Sequence, residues 1–220
     1  MQIHVNGTDL FYVKRGSGRP FLLLHGNGQD HTIYQLLIRQ LAKHYTVYAI
    51  DSRGHGKNKK IKSLSYMDIM EDTAQFIKDL TLINPILYGF SDGGIVGLLL
   101  AIHYPHILQE LIISGANTNP DGLNTFFHTF IKMGYFFSKN YKLKMMLDEP
   151  HITNDELSTI QIPTMILAGS HDIIKREHTE NIAYNIPDAV LKIVQGESHG
   201  SYIVSSTKLY KIMQPFLDAY

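Results

Sequence analysis

The sequence predicts an α/β fold, a mostly parallel central sheet with helices on both faces. Short, continuously apolar runs alternate with segments whose apolar residues recur at helical spacing, the pattern of strands covered on both sides by crossover helices. This alternation extends along nearly the whole chain, without an internal repeat or a low-complexity linker. The 220 residues also suit one domain, enough to bury roughly 70% of the surface an unfolded chain exposes.

Taken in order, "QIHVNG" and "DLFYVKRG" alternate as two strands joined at Asn6-Gly7, a hairpin-type turn that adds an antiparallel edge. "PFLLLHG", residues 20–26, is a buried strand. Ile33, Leu36, Leu37 and Leu41 predict a helix over 32–44, and "YTVYAID" a second buried strand ending at Asp51. Met67, Met70, Ala74 and Ile77 form a stripe that predicts a helix over 66–80. "PILYGF" is the third buried strand, and 93–103 a helix that Pro105 stops. "ELIISGA", "IPTMILAG" and "AVLKIVQG" supply three more strands, with helices over 177–184 and 207–217. The exception is 117–161, which is too long for a plain connection. Its "FFHTF", "MGYFF" and "MM" make it apolar and helical, an insertion that packs over something within a single 1–220 domain.

Composition excludes several function classes. Lysine plus arginine equals aspartate plus glutamate, 20 against 20, so no field favours a nucleic acid partner. The densest basic stretch, "KNKKIK" at 57–62, reads as a solvated loop. With no cysteine there are no disulfides, thiolate metal sites or thiol nucleophiles. "MQIHVNG" lacks the layout of a signal peptide, and no apolar stretch approaches membrane-spanning length, so a cytoplasmic protein without membrane contact is expected.

Chemistry concentrates at "YGFSDGG". Gly89 and Gly93 flank Ser91 as G-x-S-x-G between a strand and a helix, where a tight turn leaves the hydroxyl exposed at the sheet's C-terminal end. There Ser91 also faces the positive end of a helix, which stabilises an oxyanion. The spacing alone equally fits a glycine-rich N-cap; the flanking elements favour a nucleophile. Serine then needs a general base held by a third group. Of twelve histidines, His199 in "GESHG" follows a strand and precedes a helical segment; His25, His55, His103 and His171 lack that relation. Asp172 closes "ILAGSHD" beyond another strand and suits the acid, although it also suits a helix cap before "IIKREH". Neither a phosphate loop nor a dinucleotide fingerprint is present, because "GNGQD" has no lysine in the required arrangement and the GxG of "DSRGHG" is too sparse. No zinc pattern emerges from the scattered histidines and aspartates, so no cofactor or metal is expected.

Five motifs in fixed order, "LLLHGNG" (22–28), "DSRGHG" (51–56), "YGFSDGG" (88–94), "AGSHD" (168–172) and "GESHG" (196–200), resemble the alpha/beta-hydrolase superfamily over nearly the full chain. The resemblance implies the alpha/beta-hydrolase fold with a short helical cap at 117–161. It also implies Ser91 as nucleophile, Asp172 as acid, His199 as base, and the backbone N–H groups of Asn27 and Asp92 as the oxyanion hole. Asp51 and Arg53 would fix neighbouring backbone, and His25 and Gly26 would shape the oxyanion loop. A serine at 91 argues against the superfamily's dehalogenases and epoxide hydrolases, which need a carboxylate there. The expected activity is hydrolysis of small to medium uncharged carboxylic esters, with a small-molecule substrate as the partner. Carbon–carbon bond hydrolase, lactonase, thioesterase, amidase or a noncatalytic binding protein on the same scaffold remain alternatives. Phe126, Phe127, Phe130, Met133, Tyr135, Phe136 and Phe137 would line an acyl pocket or form the cap's own core.

Overall fold

In the computed structural model, which describes residues 1–58, 61 and 63–220, the first two strands are β1 (Gln2–Val5) and β2 (Thr8–Arg15). They turn on Asn6 and Gly7, both at positive φ, as an antiparallel hairpin. The basic stretch read as a solvated loop includes Lys59, Lys60 and Lys62, which lie outside the described residues. Six further strands follow: β3 (Arg19–Leu24), β4 (Tyr45–Ile50), β5 (Ile86–Phe90), β6 (Glu110–Ser114), β7 (Thr164–His171) and β8 (Ala189–Ser198). The sheet order is β1-β2-β4-β3-β5-β6-β7-β8, antiparallel at the hairpin and parallel from β4 to β8.

Successive strand side chains point to opposite faces, so the central strands build two cores at once. Leu22, Leu24, Leu87, Leu111 and Ile113 pack on one face with α2 (Tyr66–Asp79) and α3 (Asp92–His103). Phe21, Leu23, Tyr88, Ile112 and Leu167 pack on the other with α1 (Gln35–Leu41) and α8 (Lys208–Leu217). Strands sandwiched this way have no solvent face, which is why they read as unbroken apolar runs.

Four expectations are modified. The helix expected over 32–44 enters as a 3₁₀ turn at His31–Tyr34, capped by the Asp30 carboxylate accepting the Thr32 N–H at 2.9 Å, and α1 stops at Leu41 so that the chain can turn into β4. On α2 the buried stripe runs through Ile69, Met70, Thr73, Ala74 and Ile77, and Met67 faces outward. β8 is an edge strand rather than a buried one: among the described residues only β7 pairs with it, and Val190 and Leu191 are exposed. Between β6 and β7 the long segment forms α4 (Thr125–Ser138), α5 (Tyr141–Asp148) and α6 (Asn154–Ser158), but its own core is only a small cluster of Leu123 and Ile131 with Ile174. α7 (Arg176–Asn185) covers the connection from β7 to β8.

Candidate active site

The G-x-S-x-G spacing is a packing requirement before it is a chemical one. A Cβ on Gly89 would lie 2.1 Å from the Gly93 carbonyl oxygen, and one on Gly93 would lie 2.2 Å from the Leu24 carbonyl oxygen. Only glycine lets β5, α3 and the end of β3 approach so closely. Between them Ser91 is held at φ 54°, ψ −115°, a strained conformation for a residue with a side chain. Its N–H donates to the Ser114 carbonyl at 2.8 Å, while its own carbonyl accepts from Gly94 and Ile95. The backbone bonds thus fix the turn and leave the hydroxyl free to point out.

Across the sheet end, the turn after β7 and the turn after β8 bring Asp172 and His199 to that hydroxyl. His199 Nδ1 lies 2.6 Å from Asp172 Oδ1, and its Nε2 lies 3.1 Å from Ser91 Oγ. The Asp172 side chain is almost fully buried and accepts further N–H bonds from Ile174 at 3.0 Å and Gly169 at 3.3 Å. Asp172 does not take the helix-cap role, because α7 (Arg176–Asn185) begins beyond Lys175 and has no side-chain cap; the bond from Ile174 lies in the turn before it. With Asp172 as acceptor, the imidazole keeps its proton on Nδ1, and Nε2 is free to accept from the serine. Sequence reasoning missed two residues that seat the ring. Gly115, just after β6, leaves room for it, since a Cβ there would come within 2.6 Å of His199 Cε1. Phe90 packs its ring 4.9 Å from the imidazole, centre to centre. The signal for Gly115 was the glycine closing "ELIISGA"; Phe90 had none beyond its place beside Ser91.

Asn27 follows β3 on the loop facing Ser91, and Asp92 is the first residue of α3. Their side chains meet: Asn27 Nδ2 donates to Asp92 Oδ2 at 2.8 Å, and the Tyr66 hydroxyl donates to Oδ1 at 2.9 Å. Burial pushes the Asp92 carboxyl up to about 6 against the opposing effect of those two donors.

The other histidines are placed elsewhere. His25 Nε2 accepts the Ser52 N–H at 3.1 Å, and Nδ1 donates to the Gly26 carbonyl at 2.8 Å, so the ring splices two loops; burial lowers its pKa. His55 packs on it and is pushed down to about 3, chiefly by burial. His103 and His171 are exposed. Buried Asp51 accepts the backbone N–H groups of His31 and Lys57 and lies 2.6 Å from His31 Nδ1, while Arg53 holds Asp72 through two bonds. Asp30, His31 and Asp51 bring potential metal-ligand atoms within 4.8 Å of one another, but their oxygens already serve these backbone donors and the 3₁₀ cap.

Residues 19–143, more than half the chain, match the family described as alpha/beta hydrolase fold. The chain belongs to that family. The alpha/beta hydrolase is 24% identical to the Mus musculus protein named serine hydrolase BPHL, over 99% of this chain and 86% of the relative. Its fold superposes on an enol-lactonase from Burkholderia xenovorans LB400 with a TM-score of 0.83 at 19% identity, covering 99% and 100% of the two chains. A thermophilic esterase from Thermogutta terrifontis gives 0.80 at 20% identity, covering 100% and 98%. Among the described residues of this alpha/beta hydrolase, no helix is long and apolar enough to cross a membrane.

The hydrolase carries a cavity of about 190 Å³ against Ser91 and His199, floored by Gly26, Asn27 and Gln29. Its roof is Phe127, Phe130 and Ile131 from α4 with Leu143 and Met146 from α5. Of the seven aromatic and methionine residues expected to line a pocket or form a core, Phe127 and Phe130 reach the cavity, and Tyr135 is half-buried without lining it. Phe126, Met133, Phe136 and Phe137 face solvent and do neither. The reason is geometric: α4 and α5 form a single layer, so the outer side of α4 has nothing to pack against.

Proposed function

We propose that the chain is a serine hydrolase that cleaves small to medium uncharged carboxylic esters through an acyl-enzyme. The observation that carries this reading is the unbroken relay from Asp172 through His199 to Ser91, opening into an apolar cavity. Ser91 Oγ attacks the ester carbonyl carbon while His199 Nε2 takes its proton, and Asp172 holds the ring and stabilises the imidazolium. The backbone N–H groups of Asn27 and Asp92 receive the carbonyl oxygen as it becomes an oxyanion, and the α3 N-terminus adds its dipole. His199 then protonates the leaving alcohol. Water, activated by the same nitrogen, attacks the acyl-enzyme, releases the acid and restores the serine. No group in this sequence of steps requires a cofactor or metal.

The cavity supports the substrate class. Its phenylalanine, leucine, isoleucine and methionine lining favours an uncharged acyl or alcohol group, and its volume suits a short one. The small-molecule partner and a cytoplasmic location belong to the same proposal. A panel of nitrophenyl esters from acetyl to octanoyl, run beside Ser91→Ala, tests it. Turnover that peaks at short chains and vanishes in the variant is the expected result. Turnover equal in the two proteins, or absent across the panel, would sink the ester reading and move attention to carbon–carbon, lactone, thioester or amide substrates.

A further inference from the structure

Asp92 does more in this molecule than begin a helix. Its side chain is buried beneath the oxyanion loop and does not line the cavity. Both carboxylate oxygens are engaged, one by Asn27 and the other by Tyr66. Each of these two donors also holds one end of α5. Asn27 Nδ2 reaches the Lys142 carbonyl, in the first turn of α5, at 3.4 Å. The Tyr66 backbone N–H donates to Glu149 Oε2, at the C-cap of α5, at 2.9 Å. One buried carboxylate thus sits at the junction of the loop after β3, the N-terminus of α2 and both ends of the helix that supplies Leu143 and Met146 to the cavity roof.

We propose that the Asp92 carboxylate is a positioning residue that locks the oxyanion loop and α5 into a single arrangement, so that the roof over the substrate and the Asn27 N–H are set together. This rests on the reaction proposed above. The physical logic is that Asn27 has a short side chain on a loop whose backbone N–H must aim at a point. A bond from Nδ2 to a fixed acceptor removes the loop's freedom to rotate that N–H away. Asp92 is itself fixed, because it is the first residue of α3 and directly follows the constrained Ser91 turn. Burial disfavours the ionised form there, and the two donors, the α3 N-terminus and the Lys142 ammonium on α5 favour it, joined by His199 in the turn after β8 once that ring takes up a proton. Burial first, then Asp92 and Glu149, raise the Tyr66 pKa and keep its hydroxyl a donor. A neutral amide in its place offers one acceptor oxygen, so it can accept from Asn27 only by turning its NH2 to the Tyr66 oxygen, and two charge-assisted bonds become weaker neutral ones.

Three variants separate the links. Tyr66→Phe removes one donor without touching Ser91 or the oxyanion loop, Asp92→Asn neutralises the shared acceptor, and Glu149→Ala cuts the latch at the far end of α5. Tyr104→Phe, which deletes an exposed hydroxyl bonded to Glu71, is the matched control. On a short nitrophenyl ester, Tyr66→Phe and Asp92→Asn are expected to lower kcat by about tenfold or more while KM stays within about twofold, because a misaimed oxyanion donor weakens the transition state and not the ground state. Amide hydrogen exchange, read without substrate, is expected to quicken at both 26–30 and 141–149 in these two variants and at 141–149 in Glu149→Ala. Tyr104→Phe should match the wild type in every reading. The coupling is overturned if Tyr66→Phe leaves kcat and both exchange segments unchanged, or if 141–149 loosens with no change at 26–30 in every variant that folds. Should the wild-type protein turn over no ester, the proposed reaction fails, and the exchange of the two segments still decides the coupling.

Discussion

The turn at 89–93 and the helix α4 lie on opposite sides of the same cavity and are built on opposite terms. At the turn, backbone from β3, β5 and α3 meets so closely that two positions admit no Cβ, and Ser91 is held in a strained conformation by bonds from its neighbours. Across the cavity, α4 presents Phe127 and Ile131 inward, keeps Phe130 at the rim and 65% exposed, and leaves Phe126 84% and Phe137 80% exposed. The contrast teaches that the chemistry is placed by the part of the molecule with no room to move. The substrate's surroundings are supplied by a thin layer with almost no core of its own.

The contrast breaks first if the rigid side proves dispensable. His199→Ala should lower kcat/KM for a short ester by roughly ten-thousandfold, while a thermal melt changes little, since the ring lies at the sheet end rather than in either main core. An effect below tenfold would show that the relay is not what drives the reaction. Gly89→Ala should cost at least about 3 kcal/mol in urea unfolding, because the new methyl meets backbone and not a flexible side chain. A variant as stable as the wild type would mean the turn is looser than its contacts indicate.

Asp92 sharpens the comparison through pH. Burial raises its folded-state pKa to about 6, above the ordinary carboxylate range, so the folded protein takes up this proton first as pH falls. The associated stability is fully present below the unfolded pKa and is lost as pH rises through about 6. Relative to Asp92→Asn, the wild type should gain about 1.4 kcal/mol between pH 8 and pH 5. A gap that stays constant over that range would remove the buried carboxylate from the account. On the looser side, Phe127→Ala should lower kcat/KM for butanoyl or hexanoyl esters by about tenfold. Phe137→Ala should leave both kinetics and unfolding within about 0.5 kcal/mol of the wild type. Equal effects of the two would mean that α4 does not present one face to the substrate.

What the sequence made legible follows the same division. Buried parallel strands leave long apolar runs, and a turn that excludes side chains leaves glycines at fixed spacing, so the sheet from β3 to β7 and the setting of Ser91 were readable. The positions of Asp172 and His199 were readable because each closes a strand at the same end of the sheet. β8 misled because an apolar run does not announce that its strand lies at an edge; Val190 and Leu191 are exposed for lack of a neighbour. Met67 misled because a stripe drawn through 67, 70, 74 and 77 also passes close to the truly buried Ile69, Met70 and Thr73. The α4 phenylalanines were opaque for a stronger reason. Hydrophobicity signals burial only where there is something to be buried against, and a single helical layer has an outer side that local sequence cannot reveal. The motifs at 22–28 and 88–94 already brought Asn27 and Asp92 together, but nothing in the sequence showed that Tyr66, which lies in none of the five motifs, joins them.

The most direct test of the central claim is to treat the protein with a fluorophosphonate and map the adduct by peptide mass spectrometry. One phosphonyl group on the peptide bearing Ser91, formed slowly or not at all in His199→Ala and absent in Ser91→Ala, is the expected result. Labelling of another serine, or hydrolysis of esters that continues while Ser91 stays unmodified, would contradict the assignment of Ser91 as the nucleophile.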